Sequence, residues 1–277
     1  MKKTSVYVVH SNRHDFIPLQ HRTLTKFLAP PFEMVVVNNA RETADRAQID
    51  DQATELGLNV INVHSDTPFS LCGLHHADAL NHVWQNHARH LDGFVMLMDG
   101  DMFLISEFNI PGYMGDHPIA GAYQRRATKY HYITPAIVIL NPSLLPNSDM
   151  MNWAGTCVEG VHLDTGGGLY NYLTMHPEIK QNVKEMFQTW NIKASNNNKH
   201  LLPNEVIDDY QDDFNVEIYN NIFLHYCRSS NWDWQSDTHH YLKTAWVNKF
   251  IGGALNDTIK PKITNFMISE SQYFGWD

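Results

Sequence analysis

The sequence predicts an α/β protein with a mostly parallel, partly mixed sheet flanked by helices. In the first 105 residues, apolar runs of strand length alternate with segments whose apolar residues recur at helical spacing, and this order builds parallel sheets. The run 94–98 contains only apolar residues, which is typical of a central strand covered on both faces. It ends at Asp99-Gly100-Asp101. Because open α/β sheets bind ligands at the carboxyl ends of their strands, we expect the functional site at this turn.

The first half of the chain alternates strand and helix regularly. The predicted strands are 5–10, 32–37, 59–63 and 94–98. They are rich in β-branched or aromatic residues, or are apolar throughout, and most of them stop at polar residues. The helices predicted between them are 16–28, 44–56 and 70–90. Pro30 and Pro31 end the first helix, and Gly57 ends the second.

The pattern changes after the Asp-Gly-Asp turn. Strands predicted over 119–123 and 136–140 follow each other without a long helix between them, so the sheet is expected to become mixed. The remaining predicted elements are helices over 169–175, 179–190 and 238–250, a polar loop over 195–199 and a strand over 222–226.

Composition argues against several classes of protein. The chain has 277 residues, 43% of them hydrophobic, which is enough for a large core. Its formal net charge is −10 and its basic residues do not cluster, so no nucleic-acid partner is expected. Cys72, Cys157 and Cys227 are few and far apart, which favours a reducing compartment over a disulfide framework. The apolar runs are too short for a signal peptide or membrane span, so we expect a soluble, cytoplasmic protein without an integral membrane segment.

Asp99 and Asp101 place two carboxylates on one tight turn. They repel each other unless a positive group lies between them, and such oxygen ligands suit Mg²⁺ or Mn²⁺. The alternative is a solvated turn without a metal, since Asp and Gly are common turn residues. These residues by themselves leave both interpretations open.

In their order, the motifs resemble those of the GT-A glycosyltransferases, which use nucleotide sugars and carry a D-x-D motif. The resemblance rests on the polar loop after the first strand, on Asn38-Asn39, on the helix around 74–81 and on Asp99-Gly100-Asp101. It covers roughly residues 4–232.

The resemblance implies a GT-A, Rossmann-like catalytic domain over residues 1–235. Its nucleotide-sugar half is expected at about 1–105 and its acceptor half at about 106–235. Residues 236–277 are expected to form a C-terminal helical and aromatic extension.

A metal site is also implied by the resemblance. Asp101 would bind the ion directly, whereas Asp99 would contact the ribose or reach the metal through water. His225 is similar to the histidine that supplies a third ligand, although a hydrogen-bonded core histidine is the alternative. Gly100 would let the backbone approach the nucleotide closely. The expected cofactors are therefore Mn²⁺ or Mg²⁺, with a nucleoside diphosphate sugar as donor.

Donor contacts are expected where polar residues follow strands, and ordinary loop chemistry is the alternative for each. The candidates for the nucleoside are His10, Ser11, Asn12, Asn38 and Asn39. Arg228 and Ser229 or Ser230 are candidates for the diphosphate, Arg228 through charge-assisted hydrogen bonds. Their segment departs from the family's H-x-x-G-x-x-K-P-W pattern, because it contains neither the glycine nor the lysine.

Asp164 precedes three glycines. The resemblance implies that it binds the transferred sugar or acts as the general base on the acceptor hydroxyl. An Asx turn or a helix N-cap is the alternative, and Glu159 is a second candidate for the base. Trp153, Trp232 and Trp234 are candidates for stacking on sugar rings, against the alternative of core packing.

The sequence thus predicts a metal-dependent glycosyltransferase that moves a sugar from a nucleoside diphosphate sugar to a hydroxyl of a glycan or glycoconjugate acceptor. A catalytically inactive nucleotide- or carbohydrate-binding module on the same fold is one alternative. A sugar nucleotidyltransferase is another, but it would normally carry a glycine-rich basic loop after the first strand, and residues 11–14 contain no glycine.

Overall fold

A computed structural model describes residues 2–67, 72–126, 129–191, 202–211, 213–230 and 236–259. In chain order the strands are β1 (Thr4–His10), β2 (Phe32–Asn38), β3 (Asn59–Asn62), β4 (Phe94–Asp99), β5 (Met102–Leu104), β6 (Ile119–Arg126), β7 (Tyr130–Leu140), β8 (Thr156–Val158), β9 (Val161–Leu163), β10 (Val183–Glu185), β11 (Gln188–Asn191), β12 (Glu217–Tyr219) and β13 (Phe223–His225). The helices are α1 (Phe16–Phe27), α2 (Thr43–Glu55), α3 (Cys72–Val83), α4 (Ile110–Met114), α5 (Gly168–Met175), α6 (Pro177–Gln181), α7 (Asn204–Ile207) and α8 (Asp237–Leu255).

The main sheet has seven strands in the order β10-β6-β7-β4-β1-β2-β3. All neighbouring strands are parallel except where β7 pairs with β4 and with β6. The predicted α/β class, with a mostly parallel and partly mixed sheet, is therefore confirmed. Register places Val9 opposite Asp99 and His10 opposite Asn38, so the carboxyl ends of β1, β2 and β4 meet at one edge.

A smaller antiparallel sheet lies beyond that edge, in the order β11-β12-β13-β5. Strand β5 begins directly after the Asp-Gly-Asp turn and pairs with β13, with Met102 opposite His225. This pairing brings a segment near residue 225 onto the turn at residue 100. A β8–β9 hairpin forms a separate two-stranded sheet.

Alternate residues of the central strands face two hydrophobic layers, as expected for a sheet covered on both sides. Val6 and Val8 of β1 face the layer that contains α1 and α8, whereas Tyr7 and Val9 face the layer that contains α3 and α5. Helix α8, which the sequence placed in a C-terminal extension, thus packs into the same core as β1.

Two predicted helices differ from the structure. The helix predicted over 179–190 is wrong, because α6 ends at Gln181 and the chain then forms β10 and β11. Strand β10 pairs in parallel with β6, and this non-local pairing outweighs the local helical spacing. In the helix predicted over 70–90, α3 continues as one turn of π-helix, Trp84–Ala88. The predicted loop 195–199 lies outside the described residues. Within the described ranges, the helices lack the combination of length and apolar composition needed to cross a membrane.

Trp246 tests how tightly α8 is docked. Its side chain is 2% exposed, its indole N–H donates to the Val206 carbonyl at 2.8 Å, and its ring lies edge-on to Tyr210 at 4.9 Å. We expect Trp246→Ala to lower the free energy of unfolding by about 3–5 kcal/mol in denaturant titration. On the same helix, Tyr241 is 74% exposed, and Tyr241→Ala should change the free energy of unfolding by less than about 0.5 kcal/mol. Equal effects of the two substitutions would contradict this packing.

Candidate active site

The Asp-Gly-Asp turn is held tightly against β1. The buried Gln20 amide donates to the carbonyls of Asp99 at 3.1 Å and Met102 at 3.0 Å, and so holds the two ends of the turn together. A Cβ at Gly100 would lie 2.5 Å from the Val9 carbonyl oxygen and 2.8 Å from His10 Nδ1. Only glycine fits at this distance. The close approach that requires it is to β1, whereas the sequence suggested an approach to a nucleotide.

The pairing of β5 with β13 places His225 over this turn. Its Nε2 lies 3.3 Å from Asp101 Oδ1 and 4.0 Å from Asp99 Oδ2. One ligand atom from each of these three residues lies within 4.8 Å of the other two. The three residues that the sequence predicted as metal ligands are therefore brought together.

The other ring nitrogen of His225 faces a third carboxylate. Nδ1 lies 3.1 Å from Glu217 Oε2 and 3.2 Å from Cys227 Sγ, and Tyr219 OH donates to the same Glu217 oxygen at 2.6 Å. A carboxylate in this place fixes the ring orientation and favours the tautomer whose Nε2 can bind a metal. Glu217 thus orients His225 toward the two aspartates.

The charges of this cluster depend on one another. Burial alone would raise the pKa of Asp101, but His225 and the Ser229 N–H hold it well below its usual range. Burial likewise opposes the charged form of His225, yet Cys227 and Asp101 hold its pKa well above the ordinary value. Despite burial, the hydrogen bond from His225 lowers the pKa of Glu217 to about 2. Without a metal, His225 carries the positive charge that balances its acidic neighbours.

The loop after β13 adds backbone donors. Tyr226 N–H donates to the Asp101 carbonyl at 2.9 Å, and Ser229 N–H donates to Asp101 Oδ2 at 3.1 Å. Between them, Cys227 and Arg228 have φ angles of 62° and 60°. Left-handed backbone costs residues other than glycine about 1–3 kcal/mol each. Arg228 stands where the family pattern has its glycine.

The cleft at this edge has a volume of about 290 Å³. Seven predicted site residues outside the metal triad line it, and they are His10, Ser11, Asn12, Asp164, Arg228, Ser229 and Ser230. Gln124, Thr134 and Pro135 of β6 and β7 also line the cleft. The structure thus brings most of the predicted site residues, from several separate segments, to one cleft.

Asn38 and Asn39 do not line the cleft. The Asn38 amide donates to the Arg46 carbonyl at 2.9 Å and to Asp50 Oδ1 at 2.8 Å, both on α2. The Asn39 amide lies 3.0 Å from His75 Nδ1 and donates to the His75 carbonyl on α3. Both side chains hold helices to the sheet, as their alternative interpretation allows.

Asp164 is an exposed residue that lines the cleft and also makes a local turn contact. Its Oδ1 accepts from the N–H of the next residue, Thr165, at 2.7 Å, whereas the donor of an Asx turn lies two residues on, and the N-cap of α5 is Gly167. Glu159 lies on the β8–β9 hairpin, bonded to Lys129 and Tyr130, and is not part of the cleft lining. Trp153 is fully buried in the core. Trp232 and Trp234 lie outside the described residues.

His76 is a site residue that the sequence reasoning missed. Its Nε2 lies 3.1 Å from Asp99 Oδ1, and although burial opposes it, Asp99 raises the His76 pKa. The order of helix and strand could have indicated its position, because a crossover helix runs antiparallel to the strand that follows it. The first turns of α3 must therefore lie at the carboxyl edge of β4.

Comparison with known proteins gives structural likenesses only. No family model matches the chain, and no curated protein sequence matches it. Among solved structures, it is similar to the galactosyltransferase LgtC in complex with donor and acceptor sugar analogues, at 10% identity and a TM-score of 0.46, over 90% of this chain and 95% of that one. The glycosyltransferase GlyE of Streptococcus pneumoniae matches at 12% identity and a TM-score of 0.45, over 96% and 67%.

A mannosyltransferase of Pyrobaculum calidifontis, in complex with GDP-Man and Mn²⁺, matches at 17% identity and a TM-score of 0.37, over 55% of this chain. The chain spans about half, 49%, of that protein's length. At these identities no residue role, substrate or metal is transferred from these structures.

His10 provides a pH test of the buried edge of the site. It is 1% exposed, and burial lowers its pKa from 6.5 to about 4. Between these values the unfolded chain binds a proton that the folded protein does not, so stability falls as pH falls, by at most about 3 kcal/mol. We expect His10→Gln to flatten the loss of unfolding free energy between pH 7 and pH 4, as measured by urea titration.

The exposed His162 of β9 supplies the matched control, and His162→Gln should retain the pH dependence of the native protein. If the curves of native protein and His10→Gln run parallel over this pH range, His10 is not held neutral by burial.

Proposed function

We propose that this protein is a metal-dependent glycosyltransferase that moves a sugar from a nucleoside diphosphate sugar to a hydroxyl of a glycan or glycoconjugate acceptor. The observation that supports it most is the convergence of Asp99, Asp101 and His225 on the floor of a cleft at the carboxyl edge of the sheet. Two carboxylates and an imidazole form a ligand set of oxygen and nitrogen atoms that Mn²⁺ accepts, and Mg²⁺ is the alternative.

The charge arrangement fits such an ion. His225 carries a proton next to Asp101 and Glu217, so positive charge is favoured at this point even without a metal. Asp99, Asp101 and His225 would hold the ion, and Glu217 would keep His225 in the required tautomer. When bound there, the ion stabilises the negative charge that develops on the diphosphate leaving group.

Arg228 and the loop after β1 are proposed to bind the donor. Arg228 is half-buried in the cleft wall, where its guanidinium can donate charge-assisted hydrogen bonds to phosphate oxygens. Ser11 and Asn12 follow β1 at the same edge, in position for the nucleoside. His76 holds Asp99 from the α3 side through its 3.1 Å contact.

Asp164 is proposed to act on the acceptor or on the transferred sugar. The Thr165 N–H fixes one carboxylate oxygen, which orients the group at the cleft wall. As a general base it would take the proton of the acceptor hydroxyl while that oxygen bonds to the anomeric carbon and the diphosphate leaves. Binding the hydroxyls of the transferred sugar is the other role open to it.

Asp101→Asn tests the metal mechanism. It keeps the side-chain volume but removes the charge that His225 and the metal need, so we expect Mn²⁺-dependent release of nucleoside diphosphate to fall by about a hundredfold or more. Asp92→Asn is the control, because Asp92 is exposed and pairs with the exposed Lys2 on the surface of the described structure. Unchanged metal-dependent turnover in Asp101→Asn would remove this mechanism. Native protein that binds nucleotide sugars under Mn²⁺ without releasing the diphosphate would be a binding module.

Asp164→Asn separates chemistry from donor binding. We expect transfer to fall by about 10²–10⁴-fold while nucleotide binding, measured by calorimetry, is retained. Glu159→Gln should leave transfer unchanged, because Glu159 lies on the β8–β9 hairpin outside the cleft lining. Full activity of Asp164→Asn would dismiss its proposed role.

A further inference from the structure

Helix α8 contacts the loop of the metal site through a buried lysine. Lys243 is 1% exposed, and its Nζ donates to the Cys227 carbonyl at 2.9 Å. The same ammonium lies 4.1 Å from the centroid of the Tyr226 ring. Burying an ammonium is unfavourable unless polar or charged groups receive it. Here they belong to the two residues that follow His225.

The carbonyl that Lys243 binds lies within the strained part of the loop. Cys227 and Arg228 both have left-handed backbone, and this conformation turns Ser229 N–H toward Asp101 Oδ2. A left-handed pair without glycine persists only where surrounding contacts hold it. Lys243 supplies such a contact at the first residue of the pair.

Tyr226 is held by the same helix. Its hydroxyl lies 3.2 Å from His240 Nδ1 and 3.3 Å from Thr244 Oγ1, both on α8. Its backbone N–H donates to the Asp101 carbonyl. Helix α8 thus contacts the first two residues of the segment 226–229, which contacts Asp101 through the N–H groups of Tyr226 and Ser229.

We propose that Lys243 is a positioning residue of the metal site, which holds residues 226–229 in the conformation that fixes Asp101. It does not line the cleft, so it acts through the loop. This inference rests on the proposed function, because Asp101 is there a metal ligand. It makes α8 a part of the site, whereas the sequence placed the helix in a C-terminal extension.

Lys243→Met tests this role with two measurements. Methionine keeps an unbranched chain but has no ammonium, so the Cys227 carbonyl loses its donor. In metal-free protein, we expect faster hydrogen exchange of the amides of residues 226–229. In a Mn²⁺ titration followed by electron paramagnetic resonance, we expect the dissociation constant to rise about 10–100-fold. Lys249→Met is the matched control on the same helix, because Lys249 is exposed and pairs with Asp209.

The outcomes separate this inference from the proposed function. Faster exchange and weaker Mn²⁺ binding in folded Lys243→Met, with Lys249→Met like the native protein, support it. Native exchange and native affinity in folded Lys243→Met overturn the positioning role of Lys243 and leave the proposed function unaffected. If the native protein binds no Mn²⁺, the proposed metal site and this inference both fail.

Lys243→Gln decides the matter if Lys243→Met does not fold. Glutamine keeps polar hydrogen-bonding atoms in the buried position but is shorter and has no ammonium, so the Cys227 carbonyl again loses its charged donor. Faster exchange at residues 226–229 with weaker Mn²⁺ binding supports the positioning role of Lys243. Native values for both measurements overturn it.

Discussion

Asp99 and Asp101 occupy one tight turn, and the structure around them is arranged to balance their charges. Two carboxylates this close in a partly buried site disfavour each other's ionised form. The imidazole of His225 lies 3.3 Å from Asp101 and accepts the balancing proton, while the Glu217 carboxylate faces the other ring nitrogen and stabilises the resulting imidazolium. The cluster therefore stays charged in the absence of a metal. A divalent ion bound there would take the place of the proton.

This constraint explains why a second sheet is needed at the edge of the first. Strand β5 leaves the turn and must pair at once with β13 for His225 to reach Asp101. Gln20 holds the two ends of the turn together, and Gly100 allows the turn to lie against the Val9 carbonyl. Each of these contacts acts on the backbone of the turn, so the two carboxylates are oriented before any ligand binds. Such preorganisation is what a site that stabilises developing charge requires.

The sequence predicts those strands and helices that a pattern of neighbouring residues identifies. Strands β1, β2 and β4 are read from apolar runs, and their polar ends mark the edge that carries the site. The amides of Asn38 and Asn39 could not be placed in this way, because the register of α2 and α3 decides whether they face the cleft or a helix. Strand β10 was missed because it has three residues and exists only through its pairing with β6. The contact of Ser229 with Asp101 spans 128 residues and leaves no local pattern.

Arg228 shows how a departure from a motif can be accommodated physically. Glycine adopts a φ near 60° without steric cost, and arginine does not, so the loop is intrinsically less stable with Arg228 than with a glycine at this position. The substitution places a guanidinium in the cleft wall, where a diphosphate donor would need positive charge. The steric cost then has to be offset by contacts from outside the loop. Lys243 and Thr244 of α8 supply such contacts to Cys227 and Tyr226, the two residues that precede Arg228.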